Sequence, residues 1–455
     1  MFKNILKDRV ILVDILSVLF GISSWVAVNG VWTQTPLLVE RLPEQWNLTS
    51  YVVMIVQLAN IGPIVYSILK FKFSLKAIEK PCIHVTLGIG AVACLLLSIF
   101  WDKITVINGT KHSVAFLILT ALLAVVDCTT SVLYLPFMAH FKSKYLVSYL
   151  TGQALSGLIP SFIALAQGAS DNPECVNSTT THEVYPKYPE PRFSVSVFYV
   201  CLLVLVLFSW TAFVLLNRMG RCRKELVLYS KKSSGFKAGL GRTTSTGSDV
   251  SSDSSIGSKT ESFDNHSESN AKPNNESNEQ NISRKTFITL LLTQAYICSL
   301  TNGLLPSIQS YSCMPYGNTA YFLAVNISSI VNPIACLIAF YVKPKWIIHT
   351  LPGVISLGTA CAIYAMVTAV LSPTPPLQNT GAGNALIVLT WIGIAGLFAY
   401  SRACIASILR NNTGAGHNSL FFCGVFTQIG STCGAVIMFC IINFTSSFVS
   451  TSACG

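Results

Sequence analysis

VILVDILSVLFGISSWVAVNGVW, residues 10–32, carries a single charged side chain, Asp14. Wound as an α-helix it is about 34 Å long, enough to cross the ~30 Å hydrocarbon core of a bilayer. It is too long for a cleaved signal and lacks a small-residue cleavage site after its apolar stretch. Ten runs of the same kind follow: residues 51–69, 82–100, 113–137, 148–168, 193–216, 286–305, 319–342, 350–371, 384–408 and 419–442. Hydrophobic residues make up 51% of the 455 and charged ones 11%, with a mean hydropathy of +0.56. A soluble domain carries about a quarter charged residues. The sequence therefore predicts an all-α integral membrane protein with eleven transmembrane helices.

Orientation follows from the connections. The amino terminus and the even-numbered connections hold Lys3, Lys7, Arg9, Lys70, Lys72, Lys76, Lys80, Lys142, Lys144, Lys343, Lys345 and Arg410. The odd-numbered ones hold only Arg41, Lys103, Lys111, Lys187 and Arg192. Because cytoplasmic loops retain Lys and Arg, the amino terminus is expected in the cytoplasm and the carboxyl terminus outside. The net charge of +11 belongs to this asymmetry, and no nucleic-acid partner is expected. The glycosylation sequons at Asn47, Asn108, Asn177 and Asn443 then fall outside and are expected to carry glycans. Those at Asn265, Asn275, Asn281 and Asn411 fall inside and should stay bare. Residues 217–285, rich in Ser, Asn, Lys and Glu, cannot bury a core and read as a disordered cytoplasmic loop. The loop separates a six-helix half, residues 1–216, from a five-helix half, residues 286–455.

Most of the 15 cysteines, such as Cys94, Cys128, Cys201, Cys336 and Cys361, sit inside apolar runs and read as core. Cys175, Cys313 and Cys454 fall in outside segments, where one disulfide is expected with its pairing open. Metal-ligand spacing is absent, no cofactor is expected, and there is no nucleophile elbow, phosphate loop or catalytic carboxylate pair, so no enzyme is predicted.

The halves carry matching features six helices apart. Asn29-Gly30 with Pro36 in the first run matches Asn302-Gly303 with Pro306 in the seventh. Asn60 and Pro63 match Asn332 and Pro333, and Gln153 with Ser156 matches Gln428 with Ser431. A parallel repeat whose halves rock about a midplane site is a transporter plan, which a ligand receptor would not need. Asn29 and Asn302 are expected at helix ends. Asp127 is the one acid near the middle of a run, and Arg402 stands in the matching helix of the other half. They are read as an intramembrane charge pair, either a structural bond between halves or a proton-linked switch.

Trp25-Val-Ala-Val-Asn29-Gly30-Val-Trp32, Leu42-Pro-Glu44-Gln-Trp46 and Gln57-Leu-Ala-Asn60-Ile-Gly62-Pro63 form a familiar series. It continues in Val126-Asp127-Cys128, Leu135-Pro136-Phe137-Met138, Leu155-Ser-Gly157-Leu-Ile-Pro160 and Ala164-Leu-Ala-Gln167-Gly168. Leu300-Thr-Asn302-Gly303-Leu-Leu-Pro306-Ser-Ile-Gln309 runs on to Ser312-Cys313 and Tyr316-Gly317. In this order they resemble the riboflavin transporters of animal cells across all eleven spans. Three positions depart from the family pattern: Gln34 stands for an acid, Thr374 for a cysteine after Pro373, and Arg402 for a lysine. The second departure weakens the family's disulfide to the carboxyl-terminal tail.

The resemblance implies a plasma-membrane carrier taking up riboflavin by alternating access. Riboflavin is flat and neutral, with an acceptor–donor–acceptor edge that carboxamides match without adding charge. Trp25, Asn29, Asn60, Gln153, Asn302 and Asn332 are the expected contacts, joined by Gln309 and Tyr316 from the family motif. The competing readings are a carrier for another flat neutral heterocycle, such as a nucleoside, and a receptor that binds without moving its ligand.

Overall fold

In hydrocarbon a backbone must satisfy its own hydrogen bonds, so long apolar runs become helices. The computed structural model describes residues 10–73, 79–168, 174–177, 184–187, 190–226, 283–341, 344–410 and 416–450. Among the described residues, 10 helices are long and apolar enough to cross a membrane. A further candidate span is a broken pair, α1 (Ile11–Ile22) and α2 (Val26–Arg41), bent by 51°.

The second span is α3 (Leu48–Leu58) and α4 (Ile61–Phe73). Then come α5 (Glu79–Phe100), α6 (Val114–Ala139), α7 (Ser143–Gln167) and α8 (Val195–Arg218), followed by the short α9 (Gly220–Arg223). The seventh span is α10 (Arg284–Ser299), a π turn over Leu300–Leu304, and α11 (Leu305–Cys313). The chain ends with α12 (Asn318–Tyr341), α13 (Pro344–Val370), α14 (Gly381–Arg410) and α15 (Gly416–Phe444). Two antiparallel hairpins add strand to an otherwise helical chain: β1 (Thr105–Ile107) with β2 (Thr110–His112), and β3 (Glu174–Asn177) with β4 (Val184–Lys187). Asn108 and Gly109 turn the first hairpin with φ of 50° and 80°, as a tight Asn-Gly turn requires.

Both halves use small residues to bring helices together. A Cβ on Gly152 of α7 would lie 2.0 Å from the Val18 carbonyl of α1, and one on Gly21 would lie 2.3 Å from that of Tyr149. In the other half, a Cβ on Gly430 of α15 would lie 2.1 Å from the Ala295 carbonyl, and one on Gly434 would lie 2.3 Å from that of Ser299. Only glycine permits backbones this close. Between the halves, α7 packs on α12 and α15 packs on α3.

At the hairpin end, a polar seam joins the halves. Ser310 Oγ donates to the Trp46 carbonyl at 2.6 Å, and Thr49 Oγ1 to that of Ser307 at 3.1 Å. The rings of Trp46 and Tyr311 meet edge-on at 5.6 Å. At the other end, Glu225 holds Lys142 Nζ at 3.0 Å and accepts from the Tyr145 hydroxyl at 3.0 Å.

Two sequence expectations are corrected. The first helix does not end at Asn29-Gly30: the chain breaks at residues 23–25 and winds on through both residues to Arg41. Nor does the seventh end at Asn302-Gly303, which lie inside the π turn and pass into α11. Proline does not stop either helix, because another donor takes the carbonyl it orphans. The Trp32 carbonyl, which Pro36 cannot serve, accepts from Thr35 Oγ1 at 2.7 Å. The Asn302 carbonyl, opposite Pro306, accepts from Gln57 Nε2 at 3.2 Å.

Candidate functional site

The break in the first span exposes backbone in the interior of the bundle. Ser23 and Ser24 begin it, since hydroxyls offer the chain hydrogen bonds that compete with helix. Ser23 Oγ donates back to the Phe20 carbonyl at 3.0 Å. The new helix starts at Val26, and Trp25 before it gives no side-chain cap. Asp127, 1% exposed on α6, supplies that cap: its Oδ2 accepts from the Val28 N–H at 2.8 Å. One turn on, Thr130 Oγ1 donates to the Ser24 carbonyl at 2.8 Å, and Ser24 Oγ meets the Tyr149 hydroxyl at 3.1 Å. Both sides of the break are thus satisfied from α6 and α7.

Asp127 therefore does not pair with Arg402, and the expected charge pair is corrected. A helix start leaves N–H groups that need an acceptor, and Asp127 is committed to them. Arg402 Nη1 lies 3.4 Å from Asn302 Oδ1. Asn302 is the hub of the seventh span: its Nδ2 donates to Ser431 Oγ at 3.0 Å and its Oδ1 faces Thr301 Oγ1 at 3.4 Å. Gln57 reaches its carbonyl, and Asn60 Nδ2 donates to the Gln57 carbonyl at 3.2 Å. Gln57 and Ser431 complete this network, although neither is singled out as a contact from sequence. Their polarity inside apolar runs, beside Asn60 and Gln428, is the signal that points to them.

The other carboxamides are in a different state. Among the described residues, no protein group hydrogen-bonds the side-chain amides of Asn29, Gln153, Gln309 or Asn332, and each keeps some access to solvent. Asn29 sits in the first turn of α2, half-buried, with Nδ2 3.5 Å from where a Cβ on Gly157 would lie. The Ser329 carbonyl of α12 is 4.0 Å from that same point. Asn29, α7 and α12 thus converge, and Asn332 follows one turn beyond Ser329. Trp25, half-buried, packs against Val28, Ala59, Ala124 and Cys128. The neutral amides of Asn29, Gln153 and Asn332, the last two one turn from Gly157 and Ser329, thus lie along the meeting of α2, α7 and α12 as an amide lining without a formal charge that a neutral solute would have to desolvate, while Trp25 packs toward α3 and α6.

Other expected residues fall elsewhere. The Tyr316 hydroxyl donates to the Pro376 carbonyl at 2.8 Å, at the hairpin end and away from the amide lining. Glu44, 8% exposed, caps α6 by accepting from the Ser113 N–H at 2.8 Å and Oγ at 2.6 Å. Gln34 is fully buried, and its Nε2 donates to Gln167 Oε1 at 2.7 Å. Cys175 is disulfide-bonded, whereas Cys313 is a buried free thiol and drops out of the expected pairing; Cys454 lies outside the described residues.

The four sequons differ in setting. Asn108 is exposed on its hairpin turn. Asn443 Nδ2, the atom a glycan would need, donates to Ser50 Oγ at 3.3 Å and the Phe439 carbonyl at 2.9 Å. Asn47 Oδ1 accepts from the Tyr311 hydroxyl. Asn177 lies in β3. Asn265, Asn275, Asn281 and Asn411 lie outside the described residues.

Comparison with known proteins covers almost the whole chain. The profile of solute carrier family 52, riboflavin transporter, matches residues 9–450. Riboflavin transporter member 3-A of Danio rerio is 38% identical over 460 residues, spanning 96% of this chain and 97% of its own. Member 3 of Homo sapiens is 34% identical over 97% of this chain and 98% of its own. Member 2 of Homo sapiens is 35% identical over 95% and 94%. Among solved structures, a bacterial homologue of the lysosomal transporter Spinster in an inward-facing state has a TM-score of 0.52 at 13% identity, covering 96% of this chain and 82% of that one. A D-xylose-proton symporter has a TM-score of 0.50 at 10% identity, covering 94% and 89%. At such identities these structures share the fold alone.

Proposed function

Because the chain belongs to the riboflavin transporters of solute carrier family 52, we propose that it takes up riboflavin across the plasma membrane by alternating access. The observation that carries this reading is the match to that family over residues 9–450. Family and fold are those of a transporter and not of an enzyme. The reading takes the chain as eleven spans in a six-helix half (1–216) and a five-helix half (286–455), joined by the cytoplasmic loop 217–285. It takes the amino terminus as cytoplasmic and the hairpin end as extracellular, in keeping with the loop charges.

Asn29, Gln153, Gln309 and Asn332 are the proposed riboflavin contacts, since their amides have no protein partner to give up. Trp25 provides an apolar face for the ring system. Asn302 ties the seventh span to Ser431 and Arg402, Asn60 bonds the Gln57 carbonyl of its own span, and both act on the solute through the shape of the spans. The seam of Trp46, Thr49, Ser307 and Ser310 has to part when the site faces outward, and it is closed in this conformation.

Uptake of labelled riboflavin tests the function. Cells expressing the chain should accumulate it above mock-transfected cells, with unlabelled riboflavin and lumiflavin competing and nucleosides not competing. Uptake no higher than in mock cells, at normal surface abundance, refutes transport of riboflavin. Competition by nucleosides alone moves the substrate to another heterocycle.

A further inference from the structure

Apart from the amide lining, the structure holds a groove of about 660 Å³ between the first half of the seventh span, α13 and the end of α14. Its walls are Leu290, Leu292, Leu351, Ile355 and Ile408. That volume lies within the ~300–1,000 Å³ of sites that bury a small ligand. Thr286, Thr289 and Thr293 line one edge from α10. Thr289 Oγ1 is turned back to the Lys285 carbonyl at 3.0 Å. Arg284 and Lys285, both exposed, immediately precede Thr286 at the start of α10 and set the mouth at that end. At the far end, the Tyr296 hydroxyl meets Thr359 Oγ1 at 3.1 Å, bridging α10 to α13.

We infer that this groove holds one anionic phospholipid, its acyl chain along the leucine and isoleucine walls and its phosphate at Arg284 and Lys285. Length fits: from Arg284 to Tyr296 a helix rises about 18 Å, close to one leaflet of a ~30 Å hydrocarbon core. Polarity fits as well. The walls are hydrocarbon, the mouth is basic, and Thr286 and Thr293 put hydroxyls near the mouth and along the edge, where ester and glycerol oxygens need donors. In the orientation proposed above, the mouth faces the cytoplasmic leaflet, where anionic lipids concentrate. The lipid would brace α10, the segment that leads into the π turn at Asn302.

Native mass spectrometry of the purified full-length chain, with phosphatidylserine and phosphatidylcholine of matched acyl chains, tests this. Two basic side chains at about 1 kcal/mol each favour phosphatidylserine by about thirtyfold. Arg284→Gln with Lys285→Gln should reduce that preference to about onefold, with both lipids still retained. Ser356→Phe, which fills the groove from α13, should reduce retention of both. The double variant changes exposed side chains only, so its folding is a separate matter from any defect of Ser356→Phe. Equal retention of the two lipids by the unaltered chain overturns the proposal, as does a preference that survives the double variant. Lipid preference is read without riboflavin, so failure of the transport reading would leave this result standing.

Discussion

The first and seventh spans are both interrupted, and each interruption is met by a side chain from the span three further along. In the first, the helix stops at residues 23–25 and a new one begins, leaving the N–H of Val28 to be served by Asp127. In the seventh, a π turn keeps the helix continuous, with the Leu305 N–H bonded to the Leu300 carbonyl. What is left there is the Asn302 carbonyl opposite Pro306, served by Gln57, and the Asn302 side-chain oxygen, served by Arg402. The kind of partner follows from the backbone group left over. Loose N–H groups call for an acceptor and loose oxygens call for donors. The two breaks thus differ in place, the first lying ahead of Asn29 and the second holding Asn302 within it, and in chemistry, and Asp127 and Arg402 answer different groups.

The strongest test of this contrast is Asp127→Leu. It leaves the buried N–H of Val28 without a partner, at a cost of about 1–3 kcal/mol. Thermal melting of the purified protein and surface abundance should both fall, while Asp127→Asn, which keeps an acceptor oxygen, should retain most of each. Wild-type melting in Asp127→Leu would break the comparison at its first term.

Asn29→Ala and Asn302→Ala sharpen it. Asn29 has no protein hydrogen-bond partner for its amide, so its loss should weaken apparent riboflavin affinity by about two- to twelvefold, equivalent to ~0.5–1.5 kcal/mol, at normal abundance. Asn302→Ala removes the contacts to Ser431, Arg402 and Thr301 together and should lower abundance along with uptake. If the two variants behave alike, the division between solute-facing and span-holding amides is wrong.

The smallest effect is a coupling. Gln57→Met should destabilise by about 1 kcal/mol, the net contribution of one hydrogen bond. In a Pro306→Ala background the restored backbone N–H can serve the Asn302 carbonyl, so the same substitution should cost close to nothing. A double-mutant cycle in melting experiments measures this, and strict additivity would remove Gln57 from the π turn.

The long runs of uncharged residues were enough to find each candidate span among the described residues, because fitness to cross hydrocarbon is a property of local length and polarity. The amides at Asn29, Asn302, Gln153 and Asn332 were visible for the same reason, since polar groups are rare in such runs. Helix breaks were legible only as neighbourhoods: Asn-Gly and Pro mark a place where a helix can change, but whether it stops depends on what waits beside it. Pro36 and Pro306 read as stops and proved to be continuations, because Thr35 and Gln57 take the carbonyls they free. Asp127 read as a charge in search of a countercharge, and its partner is a backbone N–H 99 positions away in the chain. The sequence by itself determined which segments are long and apolar enough to cross a membrane and which polar groups go with them. Only the tertiary structure decided which of those groups hold the backbone and which remain open, because in a water-poor interior each donor and acceptor bonds whatever packing brings within about 3 Å.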